Sequence, residues 1–116
     1  MTRQRVFCFD IDGVIATIVP DNNYERCEPI KETIKIINEL YGRGHRLVLH
    51  TARGSATGID WSATTKKHLH SWGVKYHSLV FGKPAADYYI DDKAVPVEQL
   101  QLLISRLNKE DLERGC

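Results

Sequence analysis

The chain is poor in cysteine, and what it has forms no pattern. Cys8, Cys27 and Cys116 are odd in number and include no Cys-x-x-Cys pair, which suits reduced thiols better than a disulfide framework or a zinc site. An excess of charge of one sign is also missing. Sixteen Lys and Arg stand against fifteen Asp and Glu, a net charge of +1, so bulk binding to a nucleic-acid backbone is not expected. Long apolar runs are absent as well: stretches such as 6–9 and 14–19 fall far below the roughly 18 to 20 residues that span a bilayer. The first run is broken at once by Asp10 and Asp12 and has no small-residue cleavage site, which argues against a secretory signal. A cytoplasmic location without membrane contact is the expectation. No internal repeat, low-complexity tract or linker interrupts the chain. With 116 residues, 42% hydrophobic and 27% charged, the sequence predicts one globular domain, 1–116, with a single core.

What is there is an alternation of strands and helices. Val6 to Phe9 is a short apolar run of β-formers that stops in Asp10-Ile11-Asp12-Gly13, and it reads as a strand buried on both faces. Pro29 opens a helix with Ile30, Ile34, Ile37 and Leu40 on one side, which Gly42 and Gly44 end. Leu47 to Leu49 is a second buried strand, ending in His50-Thr51-Ala52-Arg53-Gly54. Asp60 is a candidate N-cap for a helix that places Trp61, Thr65, Leu69 and Trp72 on one face, with Gly73 where a left-handed residue would end it. Strand three is Ser78 to Phe81, strand four Tyr88 to Ile90. A last helix runs from Val97 to Leu107, and the final nine residues read as frayed. The least structured stretch is Asp21 to Glu28, followed by Arg53 to Gly58.

This order predicts an α/β fold, a three-layer Rossmann-like sandwich with a central parallel sheet, because parallel strands need crossover helices. Ligands of such sheets bind beyond the carboxyl ends of the strands. Each strand end carries polar residues: Asp10 and Asp12, Thr51 and Arg53, Lys83, Asp91 and Asp92. Crowded carboxylates repel unless a cation lies between them, and hard oxygen donors suit magnesium. Magnesium with few protein ligands completes its octahedron with water and phosphate oxygens. Thr51 and Lys83 fit such a substrate, one as a hydroxyl at a strand end and the other as a cation for phosphoryl charge.

At these residues the sequence resembles the haloacid dehalogenase superfamily of aspartyl phosphatases. The resemblance covers Phe7 to about Val95 and rests on four motifs in the family's order: Phe9-Asp10-Ile11-Asp12-Gly13-Val14, His50-Thr51-Ala52-Arg53, Gly82-Lys83-Pro84 and Tyr89-Ile90-Asp91-Asp92. It implies a magnesium-dependent phosphomonoester hydrolase. Asp10 would be the nucleophile that forms an aspartyl-phosphate, and Asp12 the general acid and then base. Thr51 and Ala52 would bind the phosphoryl group, with Lys83 steadying it and Asp10. Asp91 and Asp92 would complete the metal shell with the Asp10 carboxylate and the Asp12 carbonyl. The adjacent pair departs from the commoner spaced motif, which leaves open which of the two touches the metal; Asp92 is favoured.

Neither gap between motifs is large enough for a cap domain, so the chain resembles a capless member with an open site. The resemblance extends to small bacterial phosphatases of capsule or surface-sugar biosynthesis, which implies a small phosphorylated sugar or polyol as substrate and neighbouring subunits of a homo-oligomer closing the mouth. Arg53, His50, Asn22, Tyr24 and Arg26 are then candidates for the leaving group. A phosphoprotein or polynucleotide-end phosphatase is the alternative within enzymes. A receiver domain has similar parts, but places its acidic pair before its lysine; here Asp91 and Asp92 follow Lys83. A catalytically silent phosphate-binding module is the remaining rival. Taken singly, an Asp-x-Asp can merely cap a turn, Asp91-Asp92 can be a turn, and Arg53 a surface ion pair. His45, His68, His70 and His77 read as surface or core-edge residues, Trp61 and Trp72 as core.

Overall fold

The computed structural model describes residues 3–83, 86–89, 91 and 93–113, the side chains of 22 and 111–113 excepted. The main elements are β1 (Val6–Asp10), α1 (Lys31–Gly42), β2 (Arg46–Thr51), α2 (Ser62–Ser71), β3 (Ser78–Phe81) and α3 (Leu100–Glu113), with 3₁₀ turns at Pro20–Asn22, Tyr24–Arg26 and Val97–Gln99. β1, β2 and β3 pair in parallel in that order, with Asp10 opposite His50 and Thr51 opposite Phe81. This is the expected α/β class with a Rossmann-like parallel sheet.

The core lies on one face of the sheet. Phe9, Leu47 and Leu49 point into it and meet Ile34, Ile37 and Leu40 of α1, Leu69 of α2, and Leu100 and Ile104 of α3. α1 owes its position to its buried stripe, since no side chain caps its start. Instead Ile30 N–H donates to the Ile15 carbonyl at 2.7 Å, which clips the helix to the turn after β1. α2 begins one residue after Trp61, with Ser62 N–H donating to Asp60 Oδ1 at 2.9 Å. It ends before Gly73, whose φ is +70°.

Four expectations change. β1 is not buried on both faces: Val6 is 61% exposed and Cys8 is exposed too, and on the same side of the sheet Val80 of β3 is 48% exposed. A short apolar run cannot distinguish a strand covered twice from one covered once, and here the described helices supply buried partners on one side. Strand four does not appear at Tyr88 and Tyr89, which are exposed and outside any strand; Ile90 lies outside the described residues. α3 starts three residues after Val97 and continues to Glu113, so 108–113 is helical where fraying was expected. Finally, the stretch after β1 is not loose. Thr17 N–H donates to the Glu28 carbonyl at 2.8 Å, and Glu28 N–H to Thr17 Oγ1 at 2.9 Å. These bonds close the base of a loop whose body is the two 3₁₀ turns.

The histidines are mostly packed. His45 is buried, with Nδ1 accepting Arg5 N–H. His77 Nδ1 accepts Leu47 N–H, His68 stacks on Trp72 at 4.9 Å, and His50 is half-buried on β2. Burial holds His50 below its ordinary range; Asp10 opposes this and Lys83 adds to it. His68 is lowered by burial and then by Arg53 and Lys67.

Ile37→Ala is expected to cost about 2 to 5 kcal/mol in urea unfolding, against about 0.5 kcal/mol or less for Val80→Thr on the open face. His50 and His68 bind protons more weakly folded than unfolded. Their contribution to stability is therefore present above about pH 6.5 and lost as the pH falls. The melting temperature should drop less steeply from pH 7.5 to 5.5 in His50→Gln/His68→Gln than in the wild type; equal slopes would contradict the assignment.

Candidate active site

Asp10 ends β1 and Thr51 ends β2, and the register sets both at the same edge of the sheet. The turn that follows β1 is built on its isoleucines. Ile11 and Ile15 are buried, and the Ile11 carbonyl accepts the N–H groups of Val14, Ile15 and Ala16 at 2.9 to 3.2 Å. Alternation then leaves the flanking Asp10 and Asp12 on the open side, their side chains 32% and 24% exposed. Ala16 N–H to Ile11 and Gly13 N–H to Ala16 straddle Asp12, so this pairing does not use the Asp12 carbonyl.

Lys83 arrives two residues beyond β3. Its N–H donates to the Thr51 carbonyl at 3.3 Å, and Ser55 Oγ donates to its carbonyl at 2.9 Å. Lys83 Nζ reaches Asp10 Oδ2 at 2.7 Å and lies 3.9 Å from the centre of the Tyr89 ring. Asp10 Oδ1 accepts the Ile11 N–H at 2.8 Å, so both carboxylate oxygens are oriented.

Arg53 is turned inward, its side chain 1% exposed. Nε donates to Asp12 Oδ1 and Oδ2 at 3.2 and 3.1 Å, and Nη2 to Oδ1 at 2.8 Å. Nη1 donates to Thr65 Oγ1 at 2.9 Å, and Nη2 approaches Cys27 Sγ at 3.5 Å. The guanidinium carbon lies 4.5 Å from the centre of the Tyr24 ring, which meets Trp61 edge-on at 4.9 Å. The expectation that Arg53 reaches substrate hydroxyls therefore changes: its donors are engaged inside the protein. Arg53 can turn inward because the chain folds back at Gly54. There φ is +82°, and a Cβ would stand 2.2 Å from the Ile59 carbonyl oxygen.

Thr51 is fully buried. Its Oγ1 accepts Arg53 N–H at 3.1 Å and faces Asp12 Oδ2 at 3.5 Å. Ala52 is half-buried between them. Asp91 is exposed, and its Oδ1 accepts Lys93 N–H at 2.8 Å, the geometry of a turn; Asp92 lies outside the described residues. Of the leaving-group candidates, Arg26 is exposed, Tyr24 packs on Arg53, and the Asn22 side chain lies outside the described part. Among the described residues no three His, Cys, Asp or Glu side chains cluster as a metal site. One groove is lined by the segment before α3 and by α3 itself, from Ala94 to Lys109, and another lies in the gap between α1 and α3; neither includes Asp10, Asp12, Thr51 or Lys83.

Electrostatics follow this packing. Burial alone would weaken the charge on Arg53, but hydrogen bonds and the charge of Asp12 outweigh it and raise its pKa. Burial raises the Cys27 thiol, with Arg53 pulling the other way. Tyr24 is raised by burial and then by Asp12, against Arg53. Sequence reasoning gave no role to Cys27, Thr65 or Ser55. Their contacts join segments 12 to 28 residues apart, and no local pattern announces them.

No family model matches the chain, and no curated protein matches it. Among solved structures, a Vibrio cholerae target protein superposes with a TM-score of 0.77 at 24% identity, covering 92% of this chain and 99% of that one. A chain of the Pnkp1/Rnl/Hen1 complex gives 0.56 at 15% identity, over 86% of this chain and 34% of its own. A second structure of that RNA repair complex gives 0.56 at 16%, over 87% and 31%. At these identities the likeness is one of fold. No helix among the described residues is long and apolar enough to cross a membrane.

Proposed function

We propose that the chain is a magnesium-dependent phosphomonoester hydrolase of the haloacid dehalogenase type, acting through an aspartyl-phosphate on Asp10. One observation carries the reading: two carboxylates of a single turn are each held by a different cation, Asp10 by Lys83 and Asp12 by Arg53, from segments 73 and 41 residues away. A turn that only needed capping would not gather both.

In the first step an Asp10 oxygen attacks phosphorus and the ester P–O bond breaks, while Asp12 protonates the departing oxygen. In the second, Asp12 takes a proton from water, whose oxygen displaces Asp10 and releases inorganic phosphate. Lys83 spreads positive charge over Asp10 and the transferring group, which a loose transition state needs more than further covalent help. Thr51 sits at the strand end where a phosphoryl oxygen would lie beside Asp12. The donors fit magnesium: the hard oxygens of Asp10, the Asp12 carbonyl left out of the Ala16 pairing, and Asp92, while the turn bond on Asp91 leaves it the weaker ligand. When bound, the ion would supply charge neutralisation and alignment of the phosphoryl group.

The preferred substrate is a small phosphorylated sugar or polyol in an open site, with a second copy of the chain covering the mouth. A polynucleotide end is the second reading, favoured by the shared fold with a chain of an RNA repair complex and opposed by the balanced charge.

Phosphate release with magnesium is measured on sugar, polyol, nucleotide and peptide phosphates. Asp10→Asn should abolish it, Asp12→Asn should slow it by about 10² to 10⁴, and chelation should remove it until magnesium returns. Turnover that survives in Asp10→Asn excludes that nucleophile, and silence of the wild type on every ester favours a phosphate-binding module.

A further inference from the structure

We infer that Arg53 is a positioning residue that aims Asp12, fixing which of its two oxygens carries the transferred proton. The inference rests on the phosphatase reading and assigns Arg53 a role in it that does not involve touching substrate. Oδ1 of Asp12 takes two of the three guanidinium contacts, at 3.2 and 2.8 Å. Oδ2 takes the remaining one, at 3.1 Å, and faces the Thr51 hydroxyl at 3.5 Å. Each oxygen thus has two partners, but those of Oδ2, Arg53 Nε and the Thr51 hydroxyl, are the longer set, which suits it to carry the proton in the proposed cycle. A planar fork fixes the carboxylate plane as a single ammonium cannot.

The fork is itself immobilised. Thr65 of α2 holds Nη1, Cys27 approaches Nη2, and the Tyr24 ring covers one face. The loop closed by Thr17 and Glu28 and the first turn of α2 therefore set the direction of Asp12 through Arg53. During leaving-group departure the proton passes from Oδ2 to the ester oxygen as the P–O bond breaks, and Arg53 keeps all its protons throughout.

A leaving group that needs no proton separates aim from structure. Arg53→Gln is assayed on 2,4-dinitrophenyl phosphate and on the best alkyl phosphate of the panel, alone and with Asp12→Asn. Expected is a fall of about 10²-fold in kcat on the alkyl ester, only a severalfold fall on the aryl ester, and no further alkyl loss when Asp12 is already Asn. Equal losses on both esters, or an additional loss in the Asp12→Asn background, overturn the assignment. Wild-type turnover and its disappearance in Asp10→Asn, read in the same assay, judge the phosphatase reading separately. If Arg53→Gln melts too low to assay, Arg53→Lys keeps the charge without the fork and should show the same split between esters; an unsplit loss there overturns the inference equally.

Discussion

A guanidinium sealed from water must have its charge and its donors satisfied inside the protein, and much of the site is arranged around that demand. Arg53 draws one partner from the turn after β1, one from α2 and one from the closed loop before α1. Removing the countercharge of a buried ion pair typically costs about 3 to 5 kcal/mol. Asp12 is therefore a structural anchor as well as a chemical group. The three segments are mutually constrained: a shift of α2 moves Thr65, which moves the fork, which turns the carboxylate.

The turn after β1 meets the same demand from the other side. Its two isoleucines bury their side chains, and one carbonyl takes three N–H groups, so the backbone there has little freedom. Hydrophobic burial at Ile11 and Ile15 fixes the turn from which Asp10 and Asp12 project. The acids can then be claimed by cations from distant strands. Thr51, buried where β2 ends, fills the space between the two ion pairs and ties the Arg53 backbone to its own hydroxyl.

Most of this frame was legible in the sequence, and the misses share a cause. Apolar runs ending in acids, a threonine or a lysine located the strand ends, because buried strands stop where polar residues begin. β3 falls on the expected residues, and β1 and β2 extend to take in Asp10 and Thr51. The open sheet face was not legible, since Val6, Cys8 and Val80 have the same chemistry whether or not something covers them. Nor was the inward turn of Arg53. A long cationic side chain after a strand reads as solvent-facing, and only the distant Cys27, Thr65 and Tyr24 make the interior habitable for it. The closed base of the loop from Thr17 to Glu28 likewise depends on a hydroxyl and three backbone groups that hydropathy does not weigh.

The two ion pairs differ in a way that matches their proposed tasks. Lys83 and Asp10 are 19% and 32% exposed at the side chain, so water and salt screen their attraction. A single ammonium on a flexible stem, resting on the Tyr89 ring, can shift as charge moves from a carboxylate to a phosphoryl group. Arg53 lies in a drier setting, where the attraction is stronger and the fork resists rotation. A nucleophile must change its bonding during the cycle, whereas an acid and base must return to the same direction twice. The adaptable cation stands beside the proposed nucleophile and the rigid one beside the proposed acid and base, and exchanging Arg for Lys at position 53 would keep the charge but lose that division.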